Sequence, residues 1–252
     1  MNTQCKFCNK VFPPRYKNQI YCSVLCSNRF NLNNKRPAII PRKQSKELAE
    51  LFGILLGDGS VTKYYVKIYL NRIADKKYYP YIIKLSRKLF PNIPVTHKHR
   101  IQKGTTEIQI SSKDVCDYLK SVDFDPKIRY VPFWIIKNIN FIKATIRGLI
   151  DTEGSVGIKY FKGKKSNRMY KQLTFTNKNK FILQFMEKSL EKLGYRPTKS
   201  SNKNIYISNR KDTTKYLDEI GSNNPKIIRK IETKKVKGFS YGGLRRMVRH
   251  LS

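Results

Sequence analysis

Residues 45–60 read SKELAELFGILLGDGS, and residues 140–155 read NFIKATIRGLIDTEGS. Each stretch is an amphipathic helix running into an acid–Gly–Ser turn, with Asp58 and Glu153 at the same place in the two copies. Gly53 and Gly57 are one helical turn apart, which leaves one face of the first helix bare, and Gly148 and Thr152 are small at the same spacing. Bare faces let helix backbones approach closely. The pattern therefore predicts that the two helices pack through these faces and bring Asp58 and Glu153 side by side. Gly59 and Gly154 read as C-terminal stops in the left-handed conformation, redirecting the chain into a strand. Asp151 has Leu56 as its counterpart, so it reads as a helix-end or interface hydrogen-bonding group rather than an essential ligand.

The segments after the two helices repeat as well. Residues 64–71 (YYVKIYLN) and 170–177 (YKQLTFTN) alternate and are rich in β-branched and aromatic residues, the pattern of strands. Residues 78–90 and 181–194 have helical periodicity. A further strand comes next in each copy (Glu107 to Ser111, Asn204 to Ser208), then a short helix ending in Tyr118-Leu119 or Tyr216-Leu217, then Pro126-Lys127 or Pro225-Lys226. The order predicts an α+β fold of two pseudo-symmetric αββαββα repeats, 45–134 and 135–232, packed through paired helices, with antiparallel sheets forming a saddle. Residues 32–44 read as a basic linker and 233–252 as a basic tail.

The 53 Lys and Arg against 17 Asp and Glu give a formal net charge of +36. A compact fold carrying that charge needs a polyanionic partner, and phosphate neutralisation makes nucleic acid the natural one. No run of about 18 apolar residues exists to span a bilayer, so no membrane partner is expected. The start, Met1 to Lys10, is polar and holds two cysteines, unlike a secretory signal. An intracellular setting is expected; the abundance of Lys, Asn and Ile suggests an AT-rich genome, as in an organelle, a phage or a low-GC bacterium.

Cys5, Cys8, Cys22 and Cys26 form two close pairs in residues 1–31. Such spacing suits a tetrahedral, structural Zn²⁺ better than disulfides, and a knuckle this small needs its metal to fold. Its loop, Phe12 to Lys17, mixes basic and aromatic residues suited to a DNA backbone. Cys116 stands alone in a helical stretch and reads as a buried small hydrophobe.

Residues 51–59 and 146–154 resemble the two signature helices of LAGLIDADG homing endonucleases, in their single-chain, double-motif form. The resemblance covers roughly residues 45–232 and leaves the knuckle outside as an accessory DNA-binding addition. Two carboxylates facing each other at negative helix C-termini stay ionised only with cations between them, and hard oxygen ligands suit Mg²⁺. Asp58 and Glu153 are thus the candidate Mg²⁺ ligands, with the backbone carbonyls of Gly57 and Thr152 as candidate further ligands. The resemblance implies one acid per DNA strand and a double-strand break in a long target that need not be palindromic. It also implies a basic residue just before the proline that leads to the next helix. Arg129, in Arg129-Tyr-Val-Pro132, fits in the first copy, with Lys127 as the alternative; Lys230 is the second-copy candidate, although the proline is missing there. Lys67 and Gln172 are read as aligned on the second strand of each copy, in a solvent-organising role.

Strands laid in a major groove offer alternate side chains to base edges. The candidates are Lys63, Tyr65, Lys67, Tyr69, Asn71 and Arg72 in the first copy. In the second they are Lys159, Tyr160, Lys162, Lys164, Lys165, Asn167, Arg168, Lys171, Gln172 and Thr174. Residues 97–100 and 199–203 are read as reaching the flanking backbone. The expected enzyme is a monomeric, site-specific endodeoxyribonuclease acting on double-stranded DNA. The rival readings are an intron maturase binding intron RNA, a catalytically silent DNA-binding regulator of the same fold, and a zinc-ribbon transcription regulator.

Overall fold

The computed structural model describes residues 2–33, 37–162 and 167–232. They form two compact units, Met1–Ala38 and Ile39–Ser252. The first holds an antiparallel pair, β1 (Thr3–Gln4) and β2 (Val11–Phe12), and a helix, α1 (Val24–Asn33).

The second unit is built on two helices, α2 (Lys46–Asp58) and α6 (Ile139–Glu153). Ser45 caps α2 by accepting from the Leu48 amide at 3.1 Å, and Asn138 caps α6 through the Asn140 amide at 2.9 Å. Every residue of α2 from Leu48 to Gly57 is buried, the mark of a helix covered on all sides. From α2 the first copy continues as β3 (Gly59–Val61), β4 (Tyr65–Asn71), α3 (Tyr79–Leu89), β5 (Val95–Arg100), β6 (Thr105–Ser111), α4 (Lys113–Ser121) and the short α5 (Phe133–Ile136). The second copy follows α6 with β7 (Gly154–Lys162), β8 (Asn167–Thr176), α7 (Lys180–Lys192), β9 (Thr198–Ser201), β10 (Asn204–Ile207), α8 (Arg210–Glu219) and α9 (Pro225–Glu232). Each copy makes one four-stranded antiparallel sheet, ordered β3-β4-β6-β5 and β7-β8-β10-β9. The αββαββα repeat is therefore present twice. Cys116 is fully buried, as a small hydrophobe should be.

Two expectations need correction. Gly59 and Gly154 have φ of −95° and −83°, so neither is left-handed. They are glycines for space: a Cβ on Gly59 would lie 2.4 Å from the Leu55 Cα, and one on Gly154 would lie 2.3 Å from the Ile150 carbonyl oxygen. The strand alignment also shifts. Gly59 pairs with Ile68, and Gly154 pairs with Phe175. Thr174 therefore occupies the position of Lys67, and Gln172 that of Tyr65. The β7–β8 hairpin has longer arms than β3–β4, and its extra residues move the two copies out of simple alignment.

Candidate active site

Glycine sets the distance between α2 and α6. A Cβ on Gly53 would sit 2.3 Å from the Thr145 carbonyl oxygen, one on Gly148 would sit 2.4 Å from the Glu50 carbonyl oxygen, and one on Gly57 would sit 2.2 Å from Thr152 Oγ1. With backbone against backbone, the Thr145 hydroxyl reaches across to donate to the Ala49 carbonyl at 3.0 Å. The last residues of the helices, Asp58 and Glu153, meet at one end of this seam, where a Cβ on Gly57 would also be 3.2 Å from Glu153 Cγ.

Both acids are half-buried and both are pushed towards their protonated forms. Burial raises Asp58 to about 7, and the negative charges of Glu153 and Asp75 add to it, against Lys226 and Arg129. Burial likewise raises Glu153, opposed by Arg129. Arg129 thus faces both acids. Its guanidinium donates to the Gly59 carbonyl, just past Asp58. Its backbone is left-handed (φ 54°), unusual for a non-glycine. Asn179, on the second copy, holds that loop by donating to the carbonyls of Ile128 (2.8 Å) and Arg129 (3.2 Å).

A reciprocal tie runs the other way. Asn224 and Lys226, at the end of the second copy, donate to Asp75 of the first at 3.1 and 2.7 Å. Asn224 also donates to the Asp151 carbonyl at 2.8 Å. Asp151 is buried in hydrogen bonds from the Ser222 hydroxyl and the Asn223 amide, yet burial still lifts it to about 7. The Pro-Lys repetition marked Lys226 in the sequence without giving it a role. Asp75 and Asn179 left no signal beyond an ordinary turn and an ordinary helix cap.

The remaining candidates divide. Lys230 and Lys127 are exposed, and neither is among the charges acting on the acids. On β4, Val66, Ile68 and Leu70 are buried, which turns Tyr65, Lys67 and Tyr69 to the opposite, outer face. Asn71 is engaged in a turn, accepting from the amides of Ile73 and Ala74 at 3.0 and 2.9 Å. Arg72 is half-buried, while Lys63 and Lys159 are exposed. Thr174 falls between buried Leu173 and Phe175, whereas Gln172 is itself buried and donates to the Ser208 hydroxyl at 2.7 Å. Lys171 falls on the other side of β8 and donates to the Ile231 carbonyl. Tyr160, Lys162, Asn167 and Arg168 are placed by backbone register only. Lys164, Lys165 and the tail 233–252 lie outside the described residues.

In the first unit the Sγ atoms of Cys5, Cys8, Cys22 and Cys26 all lie within 4.8 Å of one another. The Cys8–Cys22 and Cys22–Cys26 separations of 3.5 Å are far beyond a disulfide bond. Burial pushes the Cys5 thiol up, but the backbone amides of Cys8, Cys22 and Phe7 outweigh it and lower it to about 6. Side-chain hydrogen bonding with Cys26 and Cys8, helped by burial, drives the Cys22 thiol up to about 12. Four soft sulfur donors around one point, with backbone amides aimed at Cys5, fit a tetrahedral Zn²⁺.

Two acids are brought together by glycine-packed helices, each leading into an equivalent four-stranded sheet, in a duplicated αββαββα fold. Residues 140–221 match the family model described as a LAGLIDADG-like domain. An uncharacterized protein of Methanocaldococcus jannaschii is 28% identical over 188 residues, covering 68% of this chain and 66% of its own length. The chain thus spans just under two-thirds of that relative. The structure of the homing endonuclease I-DmoI in complex with DNA and Mn superposes with a TM-score of 0.52 at 22% identity, over 70% of this chain and 96% of that one. Full-length DUF199/WhiA from Thermotoga maritima gives 0.50 at 17% identity, over 84% and 69%. At these identities the structural likenesses show the fold.

Proposed function

We propose that this chain is a site-specific endonuclease that cuts both strands of a long double-stranded DNA target. The observation that carries the reading is the pair Asp58 and Glu153: one acid from each copy, drawn together at the helix seam and destabilised as anions by burial and, at Asp58, by the other acid. The carboxylate oxygens suit Mg²⁺, which when bound supplies the charge that activates water and stabilises the leaving oxygen. Arg129 holds a fixed positive charge beside both acids, where it can offset charge developing on a phosphate. Lys226, paired with Asp75, adds a second. The outer faces of the two sheets, carrying Tyr65, Lys67, Tyr69 and Thr174, supply phosphate and base contacts. Because one chain carries both acids, a monomer suffices.

The test is incubation with Mg²⁺ and DNA of the uninterrupted host locus. A discrete pair of fragments is expected. Tight binding without a cut would leave the regulator reading standing and remove the nuclease one.

The acids also set a pH dependence. Asp58 holds its proton more tightly folded than unfolded, so its contribution to stability is full below about 3.8 and is lost as pH rises through about 7. Asp151 acts with the same sign. Without divalent cation, the melting temperature is expected to fall between about pH 5 and about pH 7.5. Asp58→Asn should flatten part of that fall, and Mg²⁺ should reverse part of it. A wild-type and variant with superimposable pH profiles would contradict the site's electrostatics.

For the first unit, one Zn²⁺ per chain is expected in the purified protein. Cys8→Ser should lose that metal and the ordered amide signals of residues 2–33, while the second unit keeps its melting transition. A metal-free chain with those signals intact would exclude the zinc knuckle.

A further inference from the structure

We propose that the first sheet contains a guanine-reading subsite, in which Glu107 presents the Arg100 guanidinium to a base edge in the major groove. The inference rests on the proposed function, and deepens it, by taking the outer face of this sheet as the DNA-facing one. Glu107 pairs across β6 with Tyr69 on one side and Lys98 on the other, so it belongs to that outer face. An acid there is out of place electrostatically, because it repels the phosphates that the surrounding cations attract. It is nevertheless only 5% exposed. One carboxylate oxygen takes the Lys67 ammonium at 2.8 Å. The other takes both Nε and Nη2 of Arg100, at 2.7 and 2.6 Å. These cations hold Glu107 below the usual carboxylate range.

The geometry on Arg100 is what points to a base. A guanidinium has five N–H donors in a rigid fork. The carboxylate occupies the Nε side, which leaves the edge between the two terminal nitrogens. The side chain is 38% exposed. Two parallel donors on that edge match O6 and N7 of guanine, the commonest specific arginine contact in the major groove. Fixing the plane beforehand reduces the ordering cost of that contact, and neutralising the cation weakens its pull on phosphates generally. A residue meant only for the backbone needs neither.

Among the described residues, the second sheet lacks the device. Ile68 pairs with Ile108 and its equivalent Phe175 with Ile205, so Asn204 stands where Glu107 does. Asn204 accepts from the Thr176 hydroxyl at 2.7 Å, a neutral pair. The subsite therefore belongs to one half of the target only.

The test is selection of bound duplexes from a randomised library in buffer without added divalent cation, using the wild-type chain, Arg100→Lys and Glu107→Gln. The wild-type chain should enrich guanine at one position in one half-site. Arg100→Lys, which keeps the charge, should lose roughly ten- to hundredfold preference at that position alone. Glu107→Gln should weaken the same preference and raise affinity for unrelated DNA. Uniformly weaker binding by Arg100→Lys with an unchanged base profile would make Arg100 a phosphate contact and overturn the proposal. An unchanged profile in Glu107→Gln, with both variants melting like wild type, would overturn the role of Glu107. If the wild-type chain binds but enriches no sequence, the site-specific reading falls and this one falls with it.

Discussion

Asp58→Asn is expected to bind target DNA as the wild type does and to cut it at least about a thousandfold more slowly, the several kcal/mol that metal-held charge contributes to such a transition state. Asparagine preserves size and removes the anion. It also removes a charge that burial, and after it the repulsion of Glu153 and Asp75, disfavours, so folding should not suffer at neutral pH. Loss of cutting with retained binding and melting would locate the defect in the chemistry. Glu153→Gln should behave the same way, and supercoiled plasmid distinguishes two arrangements: accumulation of nicked circles assigns one acid to each strand, whereas equal loss on both strands means the acids act as a unit. Cutting by Asp58→Asn at the wild-type rate would sink the site.

The second large effect belongs to the seam. Gly53→Ala and Gly148→Ala each drive a methyl into a backbone carbonyl, at 2.3 and 2.4 Å. No side-chain rotation relieves a clash with backbone, so the helices must separate and the Thr145–Ala49 hydrogen bond must lengthen or break. The cost should reach the top of the roughly 1–3 kcal/mol range for overpacking, a fall in melting temperature of about 6–12 °C. Activity should drop further than stability explains, because the same separation moves Asp58 from Glu153. Gly157→Ala is the control, since an added Cβ there meets nothing within 4 Å. If Gly53→Ala melts with Gly157→Ala, the close approach is not what holds the seam.

The seam and the acids were legible because helix packing of this kind requires small residues at fixed intervals, and a repeat doubles the signal. Strands β4, β6, β8 and β10 were legible for a similar reason, since one face of each is apolar. The edge strand β5, reading VTHKHR, has only Val95 buried and offers no alternation to detect. The copies' alignment failed at Gln172 because hairpin length is set by pairing between strands, which leaves no periodic trace. Arg129 was found through the resemblance. Asp75, Asn179 and Lys226 were not, because their roles depend on contacts between distant parts of the chain, and residue type alone does not report these. Glu107 was passed over for the same reason: a lone acid in the strand TTEIQIS has meaning only once Lys67 and Arg100 are beside it.

The reciprocal ties at Asn179 and Asp75 have a consequence for how the chain folds. Asn224 and Lys226 reach Asp75 across 149 and 151 residues of sequence, and Arg147 reaches Glu50 across 97, so the contacts that finish the site are among the longest-range in the chain. Such contacts reward loop closure only late, which slows folding relative to a chain with local contacts. They also mean that neither repeat has a finished surface of its own. Residues 39–232 should therefore melt in a single transition despite their internal duplication, and a chain stopped after the first repeat should expose the seam and aggregate.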